Sequence, residues 1–457
     1  MKIAIKELKA YFLGDVFTML REDEILDLHV AIDSRLVKPG DIFACLPGEK
    51  TDGHFFISDA IKNGAIGILT ECKQDISDTY IQIITKSTEK ALRNAAKMIL
   101  NHYPIEQIGI TGSAGKTTTK ELLFTLLSPY QKTSKTIGNY NTPIGVPVSI
   151  INMDETSKFF LCELSASYPG EIDQNLSFLD LSIAIITGIG PSHLEFFNSV
   201  ERVFEEKLRI VNALKPGGKL IINGDQDWGQ KAKQNLNNVI TYGFSDLNDM
   251  QAYEIRDSLD GLIFTVRIHN KIWKDFRLLA FGEHFILDSL PGIFLAISYG
   301  MKEKDIKEAL SGFNADYGRG KRIPFIKSSM IIDESYNANP LSFEVALQSF
   351  LKLDFPRKIL VMGDMLELGP NAEKLHFEIG SKISKTDLAV VCYLGAYSDS
   401  IRSALKDSSV LFYSFKDIDE IESFLISSVQ NNDGILVKAS NGIGLHQLIK
   451  KVVRLKW

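Results

Sequence analysis

A phosphate-binding loop is the clearest chemical feature of the sequence. Residues 109–122 read GITGSAGKTTTKEL, in which an apolar strand-like run passes through glycines into a leucine-rich helical pattern. Glycines allow the tight turn that brings backbone N–H groups to an anion, and the start of the helix adds its positive dipole end. Lys116 would reach the terminal phosphates of a nucleotide, and the Thr117 hydroxyl would contact a magnesium ion. The loop is a variant, because Ile110 stands where the usual P-loop has its first glycine.

Three further polar side chains follow apolar runs later in the chain. Glu163 ends the run in FFLCELSA, His193 follows AIITGIG, and Lys207 lies in the helical pattern FEEKLRIV. Open α/β sheets bind ligands at the carboxyl ends of their strands, so these groups could face the same nucleotide. Carboxylate and hydroxyl oxygens suit magnesium, and the histidine could serve a second ion. Each residue alone also has a structural explanation, as a solvated carboxylate, a loop histidine or a surface lysine.

Length and composition indicate a multidomain globular protein. A chain of 457 residues is too long for one core, and 45% hydrophobic with 24% charged residues is ordinary for globular domains. A net charge of −6 without a basic run argues against a nucleic-acid partner. No signal peptide and no apolar run of ~18 residues is visible, so no membrane span is expected. A cytoplasmic location with reduced thiols is expected from the scattered cysteines Cys45, Cys72, Cys162 and Cys392.

The order of strand-like and helical segments predicts an α/β protein with three domains. Residues 1–85 hold short strand candidates and turns that predict a small α/β domain. Residues 86–312 alternate strands and helices around the P-loop, which predicts a mostly parallel sheet. Within them, residues 250–280 alternate polar and apolar about an Asp-Gly turn, which predicts antiparallel hairpins. Residues 313–457 predict a second, Rossmann-like α/β domain.

A series of short motifs gives the sequence a family resemblance. In chain order they are TGSAGKTTT, NYNTPIGVP, ELSASYPGEI, GIGPSHLEFF, EKLRI, YGRG, DESYNANP, GDMLELG and VKAS. This ordered set, which spans nearly the whole chain, resembles the Mur ligases, ATP-dependent amide-forming enzymes of peptidoglycan synthesis. Residues 33–65 are similar to the family's N-terminal uridine-nucleotide-binding domain. Within the family, DESYNANP and GDMLELG resemble the branch that joins D-alanyl-D-alanine to UDP-N-acetylmuramoyl-tripeptide.

The resemblance implies a role for each matched position, with ATP and two magnesium ions as cofactors. The implied catalytic residues are Lys116, Glu163, His193, Lys207 and Arg319. The implied metal ligands are Thr117, Glu163, His193 and Lys207, the last as a carbamate. The implied ATP contacts are Thr111, Gly112, Ser113, Ala114, Gly115, Lys116, Thr117, Thr118, Asn139, His284, Arg319, Glu334 and Asn337. The implied UDP-sugar contacts are Ser34, Arg35 and Asn141, and Asn339 lies in the acceptor region.

Two motifs depart from the family pattern. The usual GxHNxxN reads GEHFILDS here, so His284 is kept while Phe285 and Asp288 replace the two asparagines. Phe285 could stack on adenine where an amide would hydrogen-bond. The usual VKxSR reads VKASN, so that Asn441 replaces an arginine.

The resemblance implies acyl activation followed by amide formation. ATP would phosphorylate the terminal carboxylate of the UDP-linked tripeptide, and the amine of D-alanyl-D-alanine would attack the acyl phosphate. His193 could serve a metal or act as a general base. A monomer is expected. The alternatives are a sister ligase that adds a single amino acid, a folylpolyglutamate-synthase-like ligase, and a nucleotide-binding module without activity.

Overall fold

Three β-sheets, each covered by helices, organise the chain. The structure is a computed structural model that describes residues 1–48, 51–258 and 261–454. The sheets have five, nine and six strands and follow one another along the chain, and a separate two-stranded sheet lies near the N-terminus. The predicted α/β class with three domains is confirmed. The domain boundaries at 85/86 and 312/313 stay predictions.

The N-terminal domain is built on the five-stranded sheet. Its elements are β1 (Lys2–Ala4), α1 (Ile5–Phe12), β2 (Gly14–Phe17), β3 (Ile25–Asp27), β4 (Val30–Ala31), β5 (Ile42–Ala44), α2 (Ile57–Lys62), β6 (Gly67–Thr70) and β7 (Ile81–Thr85). The sheet order is β2-β7-β6-β5-β4, with β4 to β7 parallel and β2 antiparallel to β7, while β1 pairs with β3. A 3₁₀ turn, Ser34–Leu36, follows the carboxyl end of β4.

Helix α3 (Thr88–His102) leads from this domain to the P-loop domain. The Ser87 side chain accepts a hydrogen bond from the Lys90 N–H group and so caps its first turn. Its buried face carries apolar residues at helical spacing, among them Ala91, Leu92, Ala95, Ala96 and Ile99. This face packs against α1, which ties the two domains together.

The central domain carries the nine-stranded sheet. Its first half comprises β8 (Glu106–Thr111), α4 (Lys116–Leu127), β9 (Thr133–Lys135), α5 (Gly145–Ile151), β10 (Phe159–Glu163), α6 (Glu171–Leu176), β11 (Leu181–Ile186), α7 (Leu194–Phe197) and α8 (Val200–Leu208). Its second half comprises β12 (Leu214–Asn223), α9 (Asp227–Asn235), β13 (Val239–Gly243), β14 (Met250–Ser258), β15 (Gly261–Ile268), β16 (Lys271–Leu278), α10 (His284–Ser298) and α11 (Glu303–Ser311).

Strand order explains where a ligand can bind in this domain. The order is β16-β15-β14-β13-β12-β11-β8-β10-β9, parallel from β9 to β14. Strands β14, β15 and β16 are antiparallel, which confirms the predicted hairpins, although Asp260 of the predicted turn lies outside the described residues. Because β11, β8 and β10 are parallel neighbours, the segments that follow them meet at one edge of the sheet.

The C-terminal domain carries the six-stranded sheet. Its elements are β17 (Lys321–Pro324), β18 (Met330–Glu334), α12 (Pro340–Lys352), β19 (Lys358–Gly363), α13 (Ala372–Ile383), β20 (Val390–Leu394), α14 (Ser398–Ala404), β21 (Leu411–Phe415), α15 (Ile418–Ser428), β22 (Gly434–Lys438) and α16 (His446–Arg454). The order is β17-β18-β22-β19-β20-β21, and only the pair β17 and β18 is antiparallel among these described strands. The carboxyl ends of β18, β22 and β19 therefore lie side by side.

Helices α4 and α10 pack closely and hold the P-loop helix against the central sheet. A Cβ atom at Gly292 of α10 would lie 2.7 Å from Leu126 Cδ1, so the glycine permits this close approach. Leu122, Leu123 and Leu126 of α4 are fully buried. Within the described residues, the helices are too short or too polar to cross a bilayer.

Candidate active site

The P-loop between β8 and α4 needs glycine at two positions. Gly112 and Gly115 have φ angles of +153° and +84°. A Cβ atom would lie 1.9 Å from Thr187 Oγ1 at the first position and 2.3 Å from Asp288 Oδ1 at the second. Because α4 begins at Lys116, the N–H groups of its first turn have no intrahelical acceptors and remain directed at the cavity. The loop thus presents the positive end of a helix, as a phosphate site requires.

Lys116 and Thr117 lie where the sequence predicts them, at the start of that helix. The Lys116 ammonium donates to the Gly112 carbonyl oxygen over 2.8 Å, so the side chain folds back over the loop. Burial lowers the pKa of Lys116, although the charge of Glu163 works in the opposite direction. The Thr117 hydroxyl donates to Glu163 Oε1 over 2.9 Å. A hydroxyl and a carboxylate therefore stand next to each other beside the phosphate loop.

Glu163 is a buried carboxylate held by a buried lysine. Its residue is 2% exposed, and Lys120 Nζ lies 3.2 Å from its Oε2 atom. Burial opposes ionisation of Glu163, but the charges of Lys120 and Lys116 outweigh it, and the pKa of the carboxyl is lowered. Asn141 Nδ2 donates to Oε1 over 3.0 Å. Sequence reasoning missed Lys120, and the available signal was its place one helical turn after the P-loop lysine.

His193 and Lys207 occupy different environments. His193 precedes α7 with φ of +50°, and its Nδ1 atom lies 2.7 Å from Glu367 Oε2 of the C-terminal domain. Lys207 is 1% exposed, and its Nζ donates to the Ala166 carbonyl over 3.4 Å. Burial and then the Lys116 charge place the pKa of Lys207 well below its ordinary value. Both effects favour the neutral amine of Lys207 over its ammonium form.

A second ion pair forms the wall contributed by the C-terminal domain. Strand register sets Glu334 opposite Lys438, and their Oε2 and Nζ atoms are 3.1 Å apart. Lys438 also donates to the Asn337 carbonyl over 3.1 Å. Burial acts to raise the pKa of Glu334, but Lys438 and His284 lower it to about 2. Lys438 is a further residue that the sequence prediction missed, although the VKAS motif contains it.

Two C-terminal side chains reach toward the phosphate loop. The Arg319 guanidinium stacks 3.9 Å from the ring centre of Tyr336, which holds it at the cavity. Asn339 caps α12, and its Nδ2 atom donates to the Ser113 carbonyl over 3.2 Å. The P-loop and the C-terminal domain are therefore in direct contact.

A cavity of about 670 Å³ lies between the central and C-terminal domains. Most of the predicted ATP and catalytic residues line it: Ser113, Ala114, Gly115, Lys116, Thr117, Thr118, Asn139, Glu163, His193, His284, Arg319, Glu334 and Asn337. Asn141, predicted for the UDP-sugar, and Asn339, predicted for the acceptor region, line the same cavity. Lys207 lies behind the wall, against Ala166. The lining residues that sequence reasoning missed include Asn223, Asp225, Gln226, Tyr242 and Phe244.

The two family departures in GEHFILDS also line the cavity. Phe285 is 1% exposed and packs against the His284 ring at 4.8 Å and the Phe313 ring at 6.1 Å. Burial raises the pKa of Asp288 to about 7. Its Oδ1 atom accepts a hydrogen bond of 3.4 Å from Thr119. Stacking of Phe285 on adenine stays a prediction.

A second cavity, of about 530 Å³, lies in the N-terminal domain. Ser34 and Arg35 line it, and the Arg35 side chain pairs with Asp33 at 2.6 Å while remaining exposed. Asn63 donates to the Ser34 carbonyl over 2.9 Å and fixes the turn. Asn141, the third predicted UDP-sugar residue, lies instead in the central cavity at Glu163. Its contact with the sugar nucleotide stays a prediction, as does a role for Asn441, which begins the 3₁₀ turn after β22.

Comparison with known proteins gives matches along most of the chain. Three family models match: "Mur ligase family, catalytic domain" at residues 29–109, "Mur ligase middle domain" at 110–296 and "Mur ligase, glutamate ligase domain" at 318–441. The UDP-N-acetylmuramoyl-tripeptide–D-alanyl-D-alanine ligase of Bacillus subtilis is 33% identical over 93% of both chains. The protein of the same name from Escherichia coli is 30% identical over 92% of both.

Solved structures agree with the sequence matches. MurF from Acinetobacter baumannii superposes with a TM-score of 0.87 at 25% identity, over 99% of both chains. MurF ligase from Thermotoga maritima in complex with ADP gives 0.80 at 26% identity, over 93% of this chain and 97% of that one. The resemblance inferred from the motifs is confirmed. The chain belongs to the Mur ligase family.

Proposed function

We propose that the chain is an ATP-dependent ligase that joins D-alanyl-D-alanine to UDP-N-acetylmuramoyl-tripeptide. The observation that carries this function is that the P-loop of the central domain and Arg319 and Lys438 of the C-terminal domain line the same cavity. Cationic groups on two opposing walls suit a triphosphate whose last phosphate is transferred between them. The printed name of the B. subtilis and E. coli relatives and the ADP complex of the T. maritima ligase support the same activity.

ATP would bind with its phosphates on the P-loop. Lys116 and the first-turn N–H groups of α4 would hold the terminal phosphates, and Arg319 would approach them from the C-terminal domain. His284, Glu334 and the neighbouring Asn337 would surround the rest of the nucleotide. Burial of the lysine and of the facing wall lowers the local dielectric, so each charge contact with phosphate is stronger than it would be in water.

Residues fit for magnesium lie beside that phosphate site. Glu163 is a buried, ionised carboxylate whose Oε2 atom has an ammonium neighbour but no hydrogen-bond donor in good geometry. Thr117 contributes a hydroxyl next to it, and His193 and a carbamylated Lys207 would serve a second ion. Only a neutral amine can add carbon dioxide and so become an oxygen ligand, and burial favours that form at Lys207. Bound magnesium would neutralise charge on the phosphates.

The placement of the substrates in the cavity would lead to two successive steps. A carboxylate oxygen of the tripeptide attacks the γ-phosphorus of ATP while Lys116 and Arg319 stabilise the charge that develops, and ADP leaves. The amine of D-alanyl-D-alanine attacks the acyl carbon, and phosphate leaves with that carboxylate oxygen. Asn339 on Ser113 closes the cavity at the P-loop, which limits the access of water to the acyl phosphate.

The N-terminal cavity is the proposed site of the uridine nucleotide. Ser34 lies at the carboxyl end of a parallel strand, and the exposed Arg35 guanidinium can turn from Asp33 to a diphosphate. This places the UDP end of the donor in one domain and its carboxylate in the cavity of the next. A monomer in the cytoplasm remains the predicted state of the enzyme.

One assay tests the proposal against its alternatives. ADP release should require ATP, magnesium, the UDP-linked tripeptide and D-alanyl-D-alanine together. ADP release with a single amino acid instead of the dipeptide would indicate a sister ligase, and release with a folate substrate would indicate a folylpolyglutamate-synthase-like enzyme. Tight ATP binding without turnover on any acceptor would indicate a nucleotide-binding module. Each of these three results contradicts the proposal.

A further inference from the structure

The GDMLELG loop, residues 363–369, connects the C-terminal domain to His193 of the central domain. Glu367 Oε2 lies 2.7 Å from His193 Nδ1. Gly369 lies against the segment after His193, where an added Cβ atom would be 3.1 Å from Glu195 Cα. Gly369 has φ of +58°, so both its conformation and its space favour glycine. The two backbones therefore meet at the point where His193 and Glu367 are in contact.

The loop is firmly held by its own domain. The Met365 N–H group donates to His376 Nε2 over 2.9 Å, and the Leu366 N–H group donates to Ser440 Oγ over 2.9 Å. Ser440 in turn donates its own N–H group to the Asp364 carbonyl over 3.1 Å. These contacts fix the backbone immediately before Glu367. The loop's glutamate is therefore brought to His193 as a rigid part of the C-terminal domain.

An apolar contact accompanies the contact between His193 and Glu367 across the same domain boundary. Leu194 and Phe197 of α7 form a small buried cluster with Val203 of α8. Leu375 of α13, in the C-terminal domain, packs against this cluster. The Glu367 contact is thus part of a docked interface between the two domains, which contains both a charged and an apolar component.

Because His193 Nδ1 contacts Glu367, only the other ring nitrogen, Nε2, remains for contacts in the cavity. A neutral imidazole has one N–H donor and one acceptor nitrogen, and a carboxylate on Nδ1 selects the tautomer with hydrogen on Nδ1. Nε2 is then the free acceptor, and His193 lines the cavity. A carboxylate behind a histidine fixes the orientation of the ring and increases its basicity as a metal ligand.

We propose that Glu367 is a positioning residue that presents His193 Nε2 to the cavity when the C-terminal domain docks. This inference rests on the proposed function, since it assigns His193 to a divalent cation beside the nucleotide. The second metal site is then complete only in the docked arrangement, so domain closure and metal binding support each other. The GDMLELG motif thereby acquires a specific role in the reaction.

The first test reads the tautomer of His193 without metal. Protein labelled with ¹⁵N-histidine is examined by long-range ¹H–¹⁵N NMR, and the His193 signals are assigned with His193→Asn. The inference predicts hydrogen on Nδ1 in the wild type and loss of this preference in Glu367→Ala. Glu373→Ala, which removes an exposed carboxylate from the same domain, is the control and should leave the tautomer unchanged. An unchanged His193 tautomer in Glu367→Ala would overturn the inference.

The second test measures manganese binding by electron paramagnetic resonance in the presence of a non-hydrolysable ATP analogue. Loss of such a supporting carboxylate typically weakens a metal site about 10–100-fold, and Glu367→Ala should weaken one Mn²⁺ site by this amount. The Glu367 side chain is 59% exposed, and alanine carries a Cβ atom just as glutamate does at this position, where φ is +62°, so the variant should fold normally. Glu373→Ala is again the control. If the wild type releases ADP only with D-alanyl-D-alanine, but Glu367→Ala binds Mn²⁺ as tightly as Glu373→Ala does, the inference alone fails. If the wild type lacks that activity, the proposed function fails.

Discussion

Lys120 lies fully buried with its ammonium 3.2 Å from Glu163 Oε2, and it joins three parts of the active site. It also donates to the carbonyls of Thr136 and Gly138 over 3.2 and 3.0 Å. Helix α4, the segment before Asn139 and the end of β10 are therefore held by one cation. Removal of one partner from a buried ion pair leaves an uncompensated charge, which costs more than the pair itself contributes.

Lys120→Met should consequently lower the free energy of unfolding by about 3–5 kcal/mol. The exposed pair of Lys132 and Asp154, 2.9 Å apart, provides the control, and Lys132→Met should cost at most about 1 kcal/mol. The double variant Lys120→Met with Glu163→Gln should recover part of the loss, because a neutral amide needs no counter-charge. Denaturant unfolding measures these three variants and Glu163→Gln alone, which completes the double-mutant cycle. Strictly additive losses in the double variant would contradict the described coupling.

Lys116→Ala should reduce ADP formation at least about 100-fold, because the charge that holds the terminal phosphates is removed. Binding of the UDP-linked tripeptide should be little changed, since the N-terminal cavity is lined by Ser34 and Arg35, far along the chain from the P-loop. Steady-state kinetics and isothermal titration calorimetry measure the two properties. A variant with normal turnover would be incompatible with a phosphate-holding role for this lysine.

Lys207→Ala should lose most activity if the buried amine carries a carbamate. Added acetate or propionate should restore part of the activity, because a short carboxylate can occupy the space of the missing oxygen ligand. Lys215→Ala, at an exposed position nearby in sequence, should behave as the wild type with or without carboxylate. The comparison uses initial rates of ADP release. Full activity of Lys207→Ala without any additive would exclude the carbamate.

Asp288→Asn restores the amide that the family motif usually has and should stabilise the protein at neutral pH. Burial raises the pKa of Asp288 to about 7 in the folded chain from an ordinary value of 3.8. The folded state therefore holds its proton more tightly than the unfolded state, and wild-type stability is lost as pH rises from about 4 to about 7. The advantage of the variant in free energy of unfolding should grow over this range by at most about 1.4 kcal/mol per pH unit and then remain constant. Thermal unfolding at several pH values measures it.

Asp249→Asn provides a control of opposite sign. Burial opposes ionisation of Asp249, but Lys233, 2.7 Å away, and the Thr241 N–H group outweigh it and lower the pKa. The wild-type contribution of this carboxylate is present above the unfolded pKa and is lost in acid. Asp249→Asn should thus be destabilised at pH 7, and the destabilisation should shrink only as the pH falls below about 3.8 toward the lowered pKa. A stability difference for Asp288→Asn that is independent of pH would show that folding does not raise the pKa of Asp288.

The sequence predicts the parts of this site that depend on local order along the chain. A P-loop, parallel strands and polar residues after them are enough to expect Thr117 and Glu163 at one sheet edge, because parallel neighbours end together. The structure brings these two into direct contact. The place of Lys120 was harder to infer, since a lysine in a helix is usually exposed and only the packing of α4 makes this one buried.

Contacts between domains were beyond the reach of sequence reasoning. His193 belongs to the central domain and Glu367 to the C-terminal domain, and nothing in either motif specifies that their side chains meet. Lys438 faces Glu334 because β22 lies beside β18 in the sheet, although β22 is the last of its strands in the sequence. Strand order of this kind depends on tertiary packing, whereas the strands themselves are visible in the apolar pattern.

Transfer of oxygen from the carboxylate to phosphate is the most direct measure of the central claim. The UDP-linked tripeptide is labelled with ¹⁸O at both oxygens of its terminal carboxyl group and is incubated with ATP, magnesium and D-alanyl-D-alanine. The proposed acyl phosphate predicts one ¹⁸O atom in each phosphate released, since the attacking carboxylate oxygen leaves with the phosphorus. Released phosphate without ¹⁸O would mean that water receives the phosphoryl group, and it would contradict the account.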